Sequence, residues 1–209
     1  ITIDMEIVLA TLNLHKIRVF RGTFREVSKV ECLTLHSFLA YSPPEEAGST
    51  FRENAILKAE HAAKALDRLV LADDSGLVVP ALQNAPGIFS RRYAGLAATD
   101  AENRKKLLEE MQGLEGLDRA GYYVCALALA GPDGLIKCVE SSCEGVIGIE
   151  EKGRYGFGYD SLFIKHGYPK SFGELDEAIK GQVSHRRKAF EKILPFFRGI
   201  SDLSYPSRA

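Results

Sequence analysis

The chain has 209 residues, of which 45% are hydrophobic and 26% are charged, and its formal net charge is −1. This length fits one large domain or two small lobes, with a core that needs no disulfide bond or structural metal. The balanced charge excludes a general field that would attract nucleic acid or an anionic membrane, but a local basic pocket can still bind a small anion.

The cysteines and the hydropathy pattern predict a cytoplasmic protein. Cys32, Cys125, Cys138 and Cys143 form no C-x-x-C pair, which favours free thiols in a reducing compartment. No apolar run approaches the roughly 18 residues that a membrane-spanning helix needs. The first residues, Ile1–Asp4, lack the basic and apolar regions of a signal peptide, so none is expected.

The first elements are a strand, a polar turn and a helix. The apolar run within Glu6–Leu12 predicts a buried strand, and apolar residues at helical spacing follow Asn13. Thr11, Asn13 and Lys16 therefore stand where a helix begins, and a helix N-terminus can bind phosphate through its free N–H groups and its dipole. An ordinary strand-to-helix turn explains the same residues, so both interpretations stay open.

A second strand is predicted over Val27–Leu35, followed by the loop Ser42–Ser49, which is rich in proline and serine. Thr50 and Glu53 have the spacing of a capping box, which predicts the start of a helix that ends near Leu66. Many inward positions of this helix are alanines, which indicates close packing against a sheet.

The stretch Leu69–Leu77 begins as an apolar strand and then presents two adjacent carboxylates, Asp73 and Asp74, before Ser75. Adjacent carboxylates repel each other and must be solvated, paired or bound to a cation. We expect the acids at the carboxyl end of the strand, where open α/β sheets place ligands. A polar turn and a Mg²⁺ site both explain this pattern.

The second half of the chain predicts a mixed sheet. A helix is expected from about Thr99 to about Met111. Ala120–Ala130 and Leu135–Ser142 have strand patterns and are joined by the turn Gly131–Gly134, which indicates a β-hairpin.

Two later stretches combine residue types that suit a ligand. Gly153–Asp160 holds three glycines, three aromatic residues, an arginine and an aspartate, which fits either a tight aromatic loop or a backbone that approaches a ligand closely. Lys180–Lys188 leads into a helix with Ser184 as the expected N-cap, and its cations at a helix N-terminus are electrostatically unfavourable. A solvated basic face is the alternative to a function here. The residues from Ser201 onward are expected to be a frayed tail.

Together these polar stretches describe a nucleotide site, because carboxylates suit Mg²⁺, cations suit phosphate and an aromatic ring among glycines suits a base. With this combination the sequence resembles the inosine triphosphate pyrophosphatase family, whose members hydrolyse non-standard purine nucleoside triphosphates. The matching stretches follow the family order over almost the whole chain: Leu9-Ala10-Thr11-x-Asn13-x-x-Lys16, Phe51-x-Glu53-Asn54-Ala55-x-x-Lys58-Ala59, Ala72-Asp73-Asp74-Ser75-Gly76-Leu77, Ala85-Pro86-Gly87-Ile88-Phe89-Ser90-x-Arg92-Tyr93-Ala94-Gly95, Phe157-Gly158-Tyr159-Asp160 and Ser184-His185-Arg186.

The resemblance implies a role for each matching residue. Glu46 and Asp74 would bind Mg²⁺, Asp74 would also orient or deprotonate the attacking water, and Ser75 would touch the substrate. Lys16 would assist catalysis by stabilising charge on the leaving pyrophosphate. The triphosphate would be held by Thr11, Leu12, Asn13, Leu14, His15 and Lys16. The base would be contacted by Phe157, Gly158, Tyr159 and Asp160, and its edge read by Lys180, His185 and Arg186.

The resemblance also implies an elongated α/β fold, with a long twisted mixed sheet flanked by helices and two lobes around a central cleft. Residues 1–200 would form a single nucleotide pyrophosphatase domain, with 201–209 as a flexible tail. The expected partners are the purine nucleoside triphosphate and a second copy of the chain, with no nucleic acid or membrane.

Three positions depart from the family pattern: Ser161 replaces a proline, Ile179 a glutamate and Gly181 an asparagine. These departures fall among the residues that would contact the edge of the base, so the base-edge geometry can differ from that of the family. The residues that would bind the metal and the phosphates are all present. Two other functions remain as alternatives: a nucleotide-binding module without turnover, and a phosphatase of another class. A Nudix enzyme needs a glutamate-rich helix, and a dehalogenase-type phosphatase needs D-x-D-x-[TV], and neither pattern occurs.

Overall fold

A six-stranded sheet is the framework of the computed structural model, which describes residues 5–27 and 30–201 but not the side chains of 26, 27 and 198–201. The strands are β1 (Met5–Leu9), β2 (Val30–Thr34), β3 (Val70–Val78), β4 (Ala120–Gly131), β5 (Gly134–Ile147) and β6 (Phe163–Lys165). Their order in the sheet is β2-β1-β3-β4-β5-β6. β1 runs parallel to β2 and β3, whereas β5 and β6 are antiparallel.

Helices accompany this sheet and confirm the predicted α/β class. The α-helices of the described residues are α1 (Leu14–Val27), α2 (Phe51–Leu66), α3 (Asp100–Glu110), α4 (Glu177–Val183) and α5 (His185–Ser201). Short 3₁₀ turns cover Leu35–Ser37, Pro80–Leu82, Gly87–Arg92 and Gly116–Arg119.

Most predicted elements are present, but several bounds differ. Val27 ends α1 instead of starting a strand, and β2 begins at Val30. β5 continues five residues past the predicted end at Ser142. The sequence patterns also missed β6 and α4, because each is too short to show a clear period. The predicted tail, residues 202–209, lies outside the described residues.

The acidic stretch is a strand interior, which corrects the prediction that the acids end a strand. β3 runs without a break from Val70 to Val78, so Asp73 and Asp74 lie in its middle. β1, in contrast, stops at Leu9, whose partner on β3 is Leu71. The two acids therefore lie just beyond the end of the neighbouring parallel strand.

The described part of the chain divides into two compact units. The first contains the described residues up to Asp74, those of 126–140 and those from Arg187 onward. The second contains Ser75–Cys125 and Ser141–Arg186. In the first unit, Phe24 of α1 packs edge-on against Phe190 and Phe197 of α5, with ring centroids 4.8 and 5.3 Å apart.

The second unit has its own apolar core, built on strand and helix residues. Tyr123 of β4 and Phe163 of β6 have ring centroids 4.7 Å apart, and Phe163 packs edge-on against Phe172. Leu107 of α3 and Met111, which directly follows α3, are fully buried in the same core. α3 begins as predicted, because Thr99 and Glu102 form a complete capping box.

No helix in residues 5–27 and 30–201 has both the length and the apolar character to cross a membrane. The four cysteines are free thiols, and Cys125, Cys138 and Cys143 are buried.

Candidate active site

The turn between β1 and α1 is organised by Asn13. Its side-chain oxygen accepts hydrogen bonds from the backbone N–H groups of His15 (2.9 Å) and Lys16 (3.2 Å), so Asn13 caps α1. The Thr11 hydroxyl accepts from Asn13 N. α1 has no acidic residue in its first turn, so its own sequence does not offset the positive end of the helix dipole.

Lys16 forms an ion pair with the first of the two adjacent acids. Its ammonium lies 2.8 Å from Asp73 Oδ2, and the Asp73 side chain is almost fully buried. Successive side chains of a strand point to opposite faces of the sheet, so Asp73 and Asp74 cannot share one partner easily. The strand geometry therefore gives the two acids different environments.

Asp74 shares a second ammonium with Glu46. Lys58 Nζ lies 2.8 Å from Asp74 Oδ1 and 2.8 Å from Glu46 Oε1. Glu46 belongs to the loop before α2, Lys58 to α2 and Asp74 to β3, so three segments of the first unit meet at one charge.

Asn54 holds the same segments together. Its side chain is fully buried, its Oδ1 accepts from Gly48 N at 2.8 Å, and its Nδ2 donates to Asp74 Oδ2 at 3.4 Å. A Cβ at position 48 would lie only 2.7 Å from Asn54 Oδ1, so this close approach requires the glycine. Asn54 thus fixes the loop that carries Glu46 relative to Asp74.

Burial and charge shift the proton affinities of this group. Burial raises the pKa of Asp74, more than the neighbouring Lys58 ammonium lowers it. Burial alone would lower the pKa of Lys58, but the charges of Asp74, Asp73 and Glu46 outweigh it and raise that pKa. A carboxylate with a raised pKa is a better proton acceptor than an ordinary aspartate.

The donor set suits a hard divalent cation. The carboxylates of Glu46 and Asp74 already converge on one positive charge, the Lys58 ammonium, which stands in for a cation between them. No group of three or more His, Cys, Asp or Glu side chains in the described part of the chain could hold a metal. Two carboxylates suit Mg²⁺, which commonly keeps several waters and binds substrate phosphates besides.

In the second unit, the Asp160 carboxylate is a centre of hydrogen bonds. Its Oδ2 accepts from Lys180 Nζ at 2.8 Å and from Phe157 N at 3.1 Å, and its Oδ1 accepts from the Tyr123 hydroxyl at 3.2 Å. Gly156 has a φ of +81°, and a Cβ there would collide with Asp160 Oδ2. Glycine at this position therefore permits the loop to close around the carboxylate.

Aromatic rings contact the side chains of His185 and Arg186, which begin α5 and are predicted to contact the edge of the base. The His185 ring stacks on Tyr123, with centroids 4.6 Å apart and planes at 14°. The Arg186 guanidinium lies over the Phe157 ring at 5.0 Å and donates to the Ser75 hydroxyl at 2.9 Å. Burial and the charge of Asp160 raise the pKa of Tyr123 well above its ordinary value, so its hydroxyl stays a donor.

Two side chains of α3 form hydrogen bonds with the backbone of Gly158. Asp100 Oδ2 accepts from Gly158 N at 2.7 Å, and Arg104 donates to Gly158 O at 2.9 Å. The Tyr159 hydroxyl donates to Ser90 O, so Tyr159 faces the core and not an open pocket. Burial raises the pKa of this hydroxyl.

The departures from the family pattern do not disturb this group. The Ser161 hydroxyl donates to Glu151, which also pairs with Arg104. Ile179 and Gly181 are exposed on α4, while Lys180 between them reaches Asp160.

The predicted residues therefore fall into two groups, one in each unit. The first unit holds the turn residues 11–16, Glu46 and Asp74, of which Leu12 and Leu14 are exposed. The second holds Ser75, the stretch Phe157–Asp160, Lys180, His185 and Arg186. Asp74 and Ser75 are consecutive in the sequence.

Sequence reasoning missed three side chains in these groups: Lys58, Asn54 and Tyr123. Lys58 and Asn54 stand in a stretch that matches the family, which was a usable signal. Tyr123 lies in an apolar strand, where its pattern is indistinguishable from that of a core residue.

Residues 7–196 of the chain match the sequence model of the Ham1 family. The chain belongs to the Ham1 family. A dITP/XTP pyrophosphatase from Protochlamydia amoebophila (strain UWE25) is 61% identical, over 95% of this chain and all of that protein. The dITP/XTP pyrophosphatase of Chlamydia caviae is 44% identical, over 98% of this chain and all of its own length.

Solved structures agree with this assignment. The Ham1 protein of Staphylococcus aureus matches with a TM-score of 0.82 and 40% identity, over 93% of this chain and 99% of that one. A HAM1 protein from Coxiella burnetii matches with a TM-score of 0.84 and 38% identity, over 93% and 99% of the two chains. These comparisons confirm the family and the fold predicted from the motifs.

Proposed function

We propose that this protein hydrolyses non-standard purine nucleoside triphosphates, such as ITP, dITP and XTP, to the monophosphate and pyrophosphate. The observation that carries the proposal is the 61% identity, over nearly the whole chain, to a relative named dITP/XTP pyrophosphatase. Such an activity removes these nucleotides before they are incorporated into DNA or RNA.

The triphosphate is assigned to the β1–α1 turn, from Thr11 to Lys16. The positive end of α1 favours an anion, and Lys16 adds a charge that Asp73 holds in place. When the bond to the leaving pyrophosphate breaks, charge accumulates on the departing oxygens. Lys16 and the helix N-terminus stabilise this charge.

Mg²⁺ is assigned to Glu46 and Asp74. When bound, it neutralises phosphate oxygens and lowers the pKa of a coordinated water. Asp74 also accepts the proton of the attacking water, a role that its raised pKa favours.

The base is assigned to Phe157, Gly158 and Asp160, with Lys180, His185 and Arg186 at its edge, whereas the buried Tyr159 side chain supports this loop from the core. Donors such as the Arg186 guanidinium suit a 6-keto group, whereas the 6-amino group of adenine would leave them unpaired. An unpaired buried donor costs about 1–3 kcal/mol, which is roughly 10- to 100-fold in selectivity.

A pyrophosphate-release assay over a nucleotide panel tests this function. With Mg²⁺, we expect rapid release from ITP, dITP and XTP and slow release from ATP. Equal rates on ATP and ITP would refute the selectivity, and free phosphate as the product would point to a phosphatase of another class. Binding of ITP without turnover would favour the non-catalytic module. EDTA should stop the reaction, and activity that survives EDTA would remove the metal from the proposal.

A homodimer in the cytoplasm is part of the same proposal. Leu96 and Leu117 are 90% and 92% exposed, so both apolar side chains are available to a second copy of the chain. Sedimentation at micromolar concentration tests the dimer, and a purely monomeric species would contradict it. The free thiols fit a reducing compartment.

A further inference from the structure

Lys58 is the charged residue that the sequence-derived site left out. It lies in the third turn of α2, and its side chain is only 13% exposed. A buried lysine is costly unless its ammonium is paired, and here two carboxylates pair with it at 2.8 Å.

Two side chains of α2, Asn54 and Lys58, each connect the loop that carries Glu46 to β3. Asn54 lies four residues before Lys58, so both side chains project from one face of α2. Asn54 bonds to Gly48 and Asp74, while Lys58 pairs with Glu46 and Asp74. This face of α2 therefore holds the loop of Glu46 against β3.

A plain structural ion pair explains the contact only in part. The two carboxylates that share Lys58 are both proposed metal ligands, and two carboxylates converge on one point only if a cation or a shared proton lies between them, which here is the Lys58 ammonium. An ammonium at that point keeps the ligands assembled and also opposes the arrival of a second cation.

We infer that Lys58 is an internal counter-ion that keeps Glu46 and Asp74 assembled in the metal-free protein and competes with Mg²⁺ for them. This inference rests on the proposed function in one respect, the assignment of Glu46 and Asp74 as metal ligands. Once a metal takes the carboxylates, the Lys58 ammonium is available to a phosphate oxygen. The protein consequently binds Mg²⁺ weakly by itself and more tightly together with a triphosphate.

Lys58→Met tests the inference, because methionine keeps an unbranched apolar chain and removes the charge. Calorimetric titration with MgCl₂, without nucleotide, should show affinity about tenfold or more above that of the wild type, since the competing charge is absent. Affinity equal to or below that of the wild type would overturn the inference. Lys64→Met, an exposed lysine of the same helix, is the control and should bind Mg²⁺ like the wild type.

Urea unfolding provides a second readout that is independent of catalysis. In EDTA, Lys58→Met should unfold at lower urea than the wild type, because two carboxylates lose their shared partner. Saturating Mg²⁺ should raise the midpoint of this variant by more than it raises that of the wild type. An equal gain in both proteins would show a merely structural lysine and overturn the inference.

Lys58→Arg keeps the positive charge, and it provides an independent test of the inference if the methionine variant does not fold. Its Mg²⁺ affinity without nucleotide should stay within about threefold of the wild type, and a tenfold increase would overturn the inference. These measurements are separate from turnover. Wild-type protein that releases pyrophosphate from ITP but fails these tests would refute only the role of Lys58, whereas absence of release would refute the proposed function.

Discussion

Lys16 pairs with Asp73 and not with its neighbour Asp74, which pairs with Lys58. The two acids are consecutive in the middle of β3, and the alternation of side chains along a strand sends them to opposite faces. Asp73 therefore positions Lys16, the proposed phosphate-binding residue, while Asp74 remains available for its proposed roles with metal and water.

Substitution of each acid by its amide should separate these roles. Asp74→Asn should lower kcat by at least about 100-fold, because it removes the general base. Asp73→Asn should raise KM for ITP about tenfold and lower kcat by less than about tenfold, because Lys16 keeps its charge but loses the carboxylate that orients it. Steady-state kinetics measures both effects, and circular dichroism checks that the variants are folded. Equal losses of kcat in the two variants would contradict the division of roles.

Two glycines of the loop that is proposed to bind the base form a matched pair. Gly156 and Gly158 both have positive φ, +81° and +62°, but only a Cβ at 156 would collide with Asp160. Gly158 has no atom within 4 Å of the Cβ position. Gly156→Ala should therefore lower kcat/KM for ITP at least tenfold more than Gly158→Ala, which carries backbone strain alone, about 1 kcal/mol. The same loss in both would show that strain, and not the contact with Asp160, is decisive.

The contacts of Asp160 predict which of two substitutions, at Lys180 or at Tyr123, reduces the selectivity for ITP more. Lys180→Met removes a charged partner at 2.8 Å, and kcat/KM for ITP should fall about 10- to 100-fold while that for ATP changes little. Tyr123→Phe removes only a hydroxyl at 3.2 Å and keeps the ring against His185, so the loss should be under tenfold. Rates on ITP and ATP are compared for each variant. A larger effect from Tyr123→Phe would reverse the assigned importance of the two contacts.

Glu53 predicts a pH dependence of stability. Its carboxylate accepts hydrogen bonds from Ser49 Oγ and N, which lower its pKa. A group whose pKa is lower in the folded state stabilises the protein above its unfolded pKa, and this contribution is lost as pH falls through the folded value. Glu53→Gln should therefore melt below the wild type at pH 7, and the difference should shrink as the pH falls through the folded-state pKa of Glu53.

Thermal unfolding between pH 7 and pH 3 measures this effect. Glu109→Gln is the control, because its ion pair with Lys105 is exposed and long, at 3.8 Å, and should contribute little at any pH. A difference for Glu53→Gln that is the same at both pH values would mean that the hydrogen bonds of the carboxylate do not stabilise α2.

Much of the fold could be predicted from local patterns. The starts of α2 and α3 follow from Thr50 and Thr99, whose side chains accept from the N–H groups three residues on. The hairpin of β4 and β5 follows from a strong turn between two apolar runs. These features depend on residues that are close together in the sequence, so capping and turn preferences can predict them directly.

The residues of the candidate site could be named from motifs, but their partners could not. Lys58 belongs to an alanine-rich helix, and nothing within its own helix indicates Glu46 or Asp74 as its partner, 12 and 16 residues away. Tyr123 reads as a core residue until its hydroxyl is seen to donate to Asp160. Spacing along the chain carries no information about such contacts.

The sequence by itself determined the family, the α/β class and the types of residue available for chemistry, because these depend on the order and kind of side chains. Only the tertiary structure decided that β3 continues through Asp73 and Asp74 to Val78, because the extent of a strand depends on the strands that pair with it, here β1 and β4. A polar pair that resembles a turn is thus held extended, and the alternation of the strand gives each carboxylate its own lysine.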